Sequence, residues 1–369
     1  MASDHVRGTL QRPASRVRLA LFVGVLFFVS ASAAFAASKL FLPDVAFDRN
    51  LPPSTERVSR PKRPELDKAA YDAKMLAIAN RPASVSAATS SASTTPYLYP
   101  VKAPYPLGGA LLPFNRIVAY YGNYLSRQMG VLGEYDHDVM IAKLKEEVAR
   151  WEAADPSTPV VPAIDYIAIT AQGAPGKDGK YRLRMPDSET EQALRDAKEV
   201  NGIVILDIQV GLSTLADELP LLVDFLKQPQ VHLAIDPEFA MHGGAKPGSV
   251  IGSFSAADIN YAARFLADLV QKHDLPPKIL IVHRFTEDMV THYADIRPLP
   301  EVQIVMDMDG WGEKAKKINT YQRVIFPEPV QFTGFKLFYK NDLKAPSTGI
   351  MTPAEVLKLT PQPIFIQYQ

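Results

Sequence analysis

Four stretches of the chain share one design, a short run of Val, Ile and Leu that stops at an acid or a histidine. They are Gly202-Ile203-Val204-Ile205-Leu206-Asp207-Ile208-Gln209, Val231-His232-Leu233-Ala234-Ile235-Asp236-Pro237-Glu238-Phe239, Lys278-Ile279-Leu280-Ile281-Val282-His283-Arg284 and Val302-Gln303-Ile304-Val305-Met306-Asp307-Met308-Asp309. Short β-branched runs with helix-like sequence between them read as parallel strands buried on both faces. In parallel α/β folds the carboxyl ends of the strands form the rim where ligands sit, so polar residues there are where chemistry is expected.

The remaining elements follow the same alternation. A first strand is predicted over 116–122 and a helix over 138–153, whose apolar positions Val139, Leu144, Val148 and Trp151 recur at helical spacing. A second strand covers 160–170, and the Gly-rich excursion 173–184 after it reads as a rim loop or small hairpin. The helix expected over 187–201 has Asp187 or Ser188 as its cap and Gly202 as its stop. Ser213 can cap a helix through Leu226, and a Gly-rich loop over 241–248 follows the Asp236/Glu238 segment. Ser255 and Asp258 have capping-box spacing ahead of a helix to about Lys272, and another helix is expected over 286–296. A seventh strand is placed over 332–339, Thr352-Pro353-Ala354-Glu355 is a helix start, and 363–369 is an eighth strand. Eight strands alternating with helices over 111–369 match a (β/α)8 TIM-like barrel. An open doubly wound sheet would need a Gly-rich phosphate turn after an early strand, and the chain has none there.

The 40 basic and 40 acidic residues among 369 balance, which gives no electrostatic reason to expect nucleic acid. With no cysteine, a disulfide, a Cys-based zinc site and a lipid-modified N-terminus are all excluded. Arg7, Arg12, Arg16 and Arg18 precede an apolar run over 19–29, which leads to Ala34-Phe35-Ala36, a pattern that signal peptidase favours. Residues 1–36 therefore read as a signal peptide cleaved after Ala36, or as an N-terminal membrane anchor if cleavage does not occur; either places the rest in a secreted or cell-envelope setting. Residues 37–110, rich in Pro, Ser and Ala, read as a disordered linker with one short helix over 67–80.

Side chains alternate along a strand, so Ala234, Asp236 and Glu238 share one face, as do Ile205, Asp207 and Gln209, and Val305, Asp307 and Asp309. Pointed into the barrel, these carboxylates converge on one rim, where they must share protons, bind cations or face water. Asp236 and Glu238 are expected about 6–7 Å apart along the strand, two residues of rise. An ionised neighbour raises a carboxyl's pKa, so Glu238 is assigned as general acid, with Asp236 orienting and tuning it. Asp307 or Asp309 is base, nucleophile or oxocarbenium stabiliser. Asp165, Asp207, Gln209, His283 and Gln367 are candidate substrate contacts, and Tyr121, Tyr166, Trp311 and Tyr368 are candidate aromatic platforms for sugar rings. His232, deeper in its strand, is expected to be structural, and Lys336 and Trp151 to pack or face solvent.

The pattern resembles the TIM-barrel glycosidases, and among them the lysozyme-like muramidases, through Asp236-Pro237-Glu238 at the end of a middle strand and the aromatic last strand Ile366-Gln367-Tyr368. Muramidases of this type carry an Asp on the first strand, where this chain has Ala119-Tyr120-Tyr121. The resemblance implies a glycoside hydrolase acting on a carbohydrate polymer, peptidoglycan or another glycan, without a cofactor. Two other readings stay open. One is a metal-dependent hydrolase using Asp236, Asp307, Asp309, His242 and His283, whose oxygen-rich ligands suit Mg²⁺, Mn²⁺ or Ca²⁺. The other is a non-catalytic barrel that binds envelope glycans.

Overall fold

The computed structural model describes residues 63–81 and 98–369. The expected signal peptide, residues 1–36, lies outside the described residues, as do 37–62 and 82–97 of the expected linker. Eight parallel strands form the core: β1 (Arg116–Gly122), β2 (Val160–Ala171), β3 (Ile203–Ile208), β4 (Val231–Ile235), β5 (Lys278–Arg284), β6 (Val302–Met308), β7 (Phe332–Leu337) and β8 (Phe365–Tyr368). Each pairs with its neighbours in sequence, and β8 pairs with β1 while β1 pairs with β2, so the sheet closes on itself. Helices lie between the strands, and the fold is a (β/α)8 barrel. The expected hairpin is present, since Arg182–Arg184 pairs antiparallel with the end of β2.

Strand parity divides the apolar residues into two cores. Ile117, Ala119, Ala163, Ile203, Ile205, Ala234, Ile279, Ile281, Val305 and Phe365 fill the interior, and the alternate residues pack outward on the helices. The inner core continues downward into a helix that precedes the barrel, α1 (Lys68–Ala79), whose Tyr71, Met75 and Ile78 are buried in it. Asp67 caps α1 through Ala70 N–H and Asn80, in the left-handed region, ends it, matching the short helix expected over 67–80. This helix falls within the segment read as a linker, yet it closes the amino-terminal end of the barrel with apolar side chains. Three apolar residues on one face are too few to stand out in a composition dominated by Pro, Ser and Ala.

Among the outer helices, α2 (His137–Ala154) buries Met140, Ile141, Leu144 and Trp151, leaving Val139 exposed. Helix α3 (Asp187–Glu199) starts one residue earlier than its expected caps, with Pro186 at the N-cap, and α4 (Ala256–His273) has both hydrogen bonds of the Ser255/Asp258 capping box. The Thr352/Glu355 box is also formed, around the single turn Pro353–Val356. Two expected helices are broken. The segment 213–226 is capped by Thr214 and interrupted by a 3₁₀ turn, Leu219–Leu222, because Pro220 has no N–H to continue the ladder. Over 286–296 there are two 3₁₀ turns and a two-residue strand, Val290–Thr291, paired with Phe254–Ser255. Arg284 donates to the carbonyls of Thr286, Glu287 and Val290, taking acceptors that a helix would use.

Candidate active site

The top of the barrel interior is polar. Inward positions at the carboxyl ends supply Tyr121 from β1, Asp165 from β2, Asp207 from β3, His283 from β5, Asp307 from β6, Lys336 from β7 and Gln367 from β8, all buried. Asp236 and Glu238 follow β4, Gln209 follows β3, and Asp309 follows β6. Parity along each strand, with its alternate residues committed to the helices, leaves the side chains that are still on the strands nowhere else to point.

His283 is the hub. Its Nε2 lies 2.7 Å from Asp207 Oδ2, and its Nδ1 lies 3.2 Å from Asp307 Oδ2 and 3.5 Å from Asp309 Oδ2. Burial works against its charge, but the carboxylates, Asp207 foremost, outweigh burial and raise its pKa well above the ordinary histidine value. Lys336 Nζ sits 3.2 Å from Asp309 Oδ1 and 3.7 Å from the centroid of the Tyr121 ring. Gln209 donates to Asp236 Oδ2 and Tyr121 Oη, and Gln367 donates to Asp165 Oδ2. Space for Asp307 comes from Gly334 on the next strand. A Cβ there would fall 2.5 Å from Asp307 Oδ1, so any side chain would push that carboxyl off its histidine.

Six carboxyl groups thus share a small volume with two cationic side chains, His283 and Lys336. Protons must make up much of the difference, and four of the six have a raised proton affinity. Asp165, Asp236 and Asp307 are raised from the usual range chiefly by burial, and Glu238 is pushed up to about 7 by burial and then by the Asp309 carboxylate. Asp165 Oδ1, Asp207 Oδ1 and Asp307 Oδ1 are buried without a protein hydrogen-bond partner.

Asp236 and Glu238 do not continue β4, which ends at Ile235. Pro237 cannot donate to the ladder, so the chain turns into the 3₁₀ turn Pro237–Phe239 and the along-strand spacing expected for the pair does not apply. Asp236 caps that turn, its Oδ1 accepting the Glu238 N–H at 3.0 Å. The orienting part expected of Asp236 therefore runs through the backbone. The charge that raises the Glu238 pKa beyond the effect of burial is that of Asp309, opposed by Lys336 and His283. Glu238 is half-buried, Asp309 keeps 9% of its side-chain surface exposed, and Asp307 is fully enclosed.

A raised carboxyl pKa is a stability statement. Glu238 binds its proton in the folded state up to about pH 7 but only to about 4.5 when unfolded, so its contribution is full below 4.5 and is lost as pH rises through 7. Relative to Glu238→Gln, the wild type is expected to lose on the order of 3 kcal/mol between pH 4.5 and 8, read from paired denaturation curves across that range. A constant difference would remove the shift assigned to this residue.

Two residues expected as sugar platforms point the other way. Tyr166 faces the helices, its ring stacked on Tyr124 at 5.4 Å. Tyr368 also points outward, accepting a hydrogen bond from Trp151 Nε1 at 2.9 Å and stacking on Tyr339. Both follow an inward polar residue, Asp165 or Gln367, and parity therefore sends them out. Trp311 stands exposed on the loop after β6. His232 is structural as expected, its Nδ1 accepting the Ile279 N–H at 3.0 Å. Lys336 is the residue the sequence reading missed; the same parity rule applied to Gly334-Phe335-Lys336 would have turned it inward.

For the metal-dependent reading, both nitrogens of His283 are committed to carboxylates, and His242 lies apart, 3.7 Å from Asp258 at the start of α4. Among the described residues no group of three or more His, Asp or Glu is arranged to hold a metal ion.

No protein-family model matches the sequence, and no curated protein matches it. Among solved structures the chain is similar to a GH5 xyloglucan-specific endo-β-1,4-glucanase from a metagenomic library in complex with cellotriose, at 12% identity over 63% of this chain and 78% of that one, with a TM-score of 0.36. It is also similar to a GH18 chitinase from Pseudoalteromonas aurantia, at 11% identity over 69% of this chain and 94% of that one, with a TM-score of 0.36. A Bacteroides ovatus GH5 xyloglucanase in complex with a XXXG heptasaccharide is similar at 14% identity over 59% of this chain and 60% of that one, with a TM-score of 0.29. All three are glycoside hydrolases. The barrel assignment itself rests on strand order and register.

Proposed function

We propose that the protein is an exported glycoside hydrolase that cleaves a cell-wall or extracellular polysaccharide by carboxylate acid/base catalysis, with Glu238 as general acid and Asp309 as its partner. The observation that carries this reading is the setting of the two most exposed carboxyls of the cluster. Glu238 keeps its proton to about pH 7, and Asp309 is ion-paired to Lys336. A carboxyl that keeps its proton, together with a second, ion-paired carboxylate, is the pair that glycosidic cleavage uses.

In this scheme Glu238 gives its proton to the glycosidic oxygen as the C–O bond breaks, and the sugar that keeps the anomeric carbon develops oxocarbenium character. Asp309 faces that positive charge. Water then supplies hydroxide to the anomeric carbon and its proton returns to Glu238, which restores the site. Asp236 positions the acid through its backbone, and the His283 network fixes Asp307 and Asp309 from below.

The test is release of new reducing ends from a panel of wall and extracellular polysaccharides, run with and without exhaustive chelation. Turnover that survives chelation is expected. Turnover abolished by chelation and restored by a divalent cation would replace this mechanism with the metal-dependent one, and no turnover on any glycan would leave a binding barrel.

Export is supported by the Arg-rich start, the apolar run over 19–29 and Ala34-Phe35-Ala36. The mature protein recovered outside the cytoplasm is expected to begin at Ala37 by N-terminal sequencing. Recovery of the intact chain in the membrane fraction would identify an anchor, and recovery of soluble intact chain in the cytoplasm would reject export.

A further inference from the structure

We propose that Trp311, Lys316 and Lys344 form a subsite for an acidic sugar, so that the polysaccharide recognised at this mouth carries carboxylate groups. The inference rests on reading the mouth as a glycan site and adds the chemical class of the glycan.

Trp311 is 43% exposed on the loop after β6, two residues beyond Asp309. Lys316 Nζ lies 4.8 Å and Lys344 Nζ 5.0 Å from its ring centroid, one from the helix after β6, α5 (Lys314–Thr320), and the other from the loop after β7. Both lysines are exposed, and among the described residues neither has a carboxylate within ion-pair distance. Their neighbours differ. Lys314 is paired with Glu355 at 2.7 Å, Lys317 with Asp342 at 3.0 Å and Lys340 with Glu134 at 2.8 Å. Two ammonium groups gathered on one indole repel each other, and among the described residues no carboxylate pairs with either to offset that repulsion.

The platform is built rather than incidental. Lys317, buried beneath it, donates to the carbonyls of Gly310 and Lys336, both at 2.8 Å, and Asp342 accepts the Gly312 N–H at 2.9 Å. These bonds lock the loops after β6 and β7 together, and they tie Trp311 to the strand that carries Lys336. A sugar chain running from Asp309 over the rim would meet the exposed part of the indole with its apolar face and two cations with its carboxylate.

The test is binding rather than turnover, measured with the Glu238→Gln protein by affinity electrophoresis. Polygalacturonate, alginate and hyaluronate are each compared with their methyl-esterified forms. At least one acidic polymer is expected to bind more tightly than its neutral ester, with the preference shrinking as salt rises. Lys316→Gln with Lys344→Gln is expected to weaken that acidic polymer about fivefold and leave the ester unchanged, a size fitting two exposed charge pairs. Equal binding of acidic and esterified forms, an acidic preference that survives the double substitution, or binding of neither form overturns the proposal. Equal binding together with wild-type hydrolysis of a neutral glycan would leave the hydrolase reading standing, and lysine-dependent acidic binding without any turnover would do the reverse.

Discussion

Glu238→Gln is expected to lower kcat/KM toward the cleaved glycan by about 10²–10⁴-fold, the range that a positioned general acid contributes. The amide keeps the shape and loses the transferable proton, so glycan affinity and thermal stability near pH 7 should change far less than the rate. The pH profile separates this from a structural effect. In the proposed mechanism Glu238 must be protonated to act, so wild-type activity should fall as pH rises through about 7. The residual rate of the variant should lack that limb. If the variant kept wild-type turnover, or kept the limb, the proton donor would have to be another group.

The largest loss of stability is expected from His283→Ala. The imidazole separates Asp207 from Asp307 at 2.7 and 3.2 Å, with all three side chains fully buried. Removing one partner of a buried charge network leaves the others uncompensated, at a cost of about 3–5 kcal/mol. Chemical denaturation near pH 6.5 measures it, and a loss below about 1 kcal/mol would contradict the network described. The pH dependence has a definite sign. The pKa of His283 is raised in the folded state, so its contribution is complete below the ordinary histidine value of 6.5 and fades as pH climbs through the raised one. The gap between wild type and variant should therefore narrow in alkaline solution.

Much of the site was readable because strand parity is a local rule. Asp207, His283 and Asp307 each follow alternating apolar residues, and their inward direction was fixed once the strands were recognised. Tyr166 and Tyr368 show the cost of ignoring that rule. Chosen as aromatics near strand ends, they sit one residue past inward polar positions and pack on helices instead. Lys336 was passed over because a lysine in an apolar run reads as a solvated edge, and its counter-charge, Asp309, lies 27 residues away in the chain at 3.2 Å in space.

The sequence by itself determined the number and order of strands, the capping boxes at Ser255 and Thr352, and the convergence of acids on one end of the sheet, because each depends on residues a few positions apart. Tertiary structure alone decided how those acids divide their protons. Whether Asp307 is enclosed and Glu238 stays partly exposed depends on ring closure, on the room left by Gly334 and on the approach of His283 and Lys336. It also decided that residues 68–79 close the far end of the barrel. Burial and charge pairing are sums over neighbours distant in the chain, and no local pattern encodes such a sum.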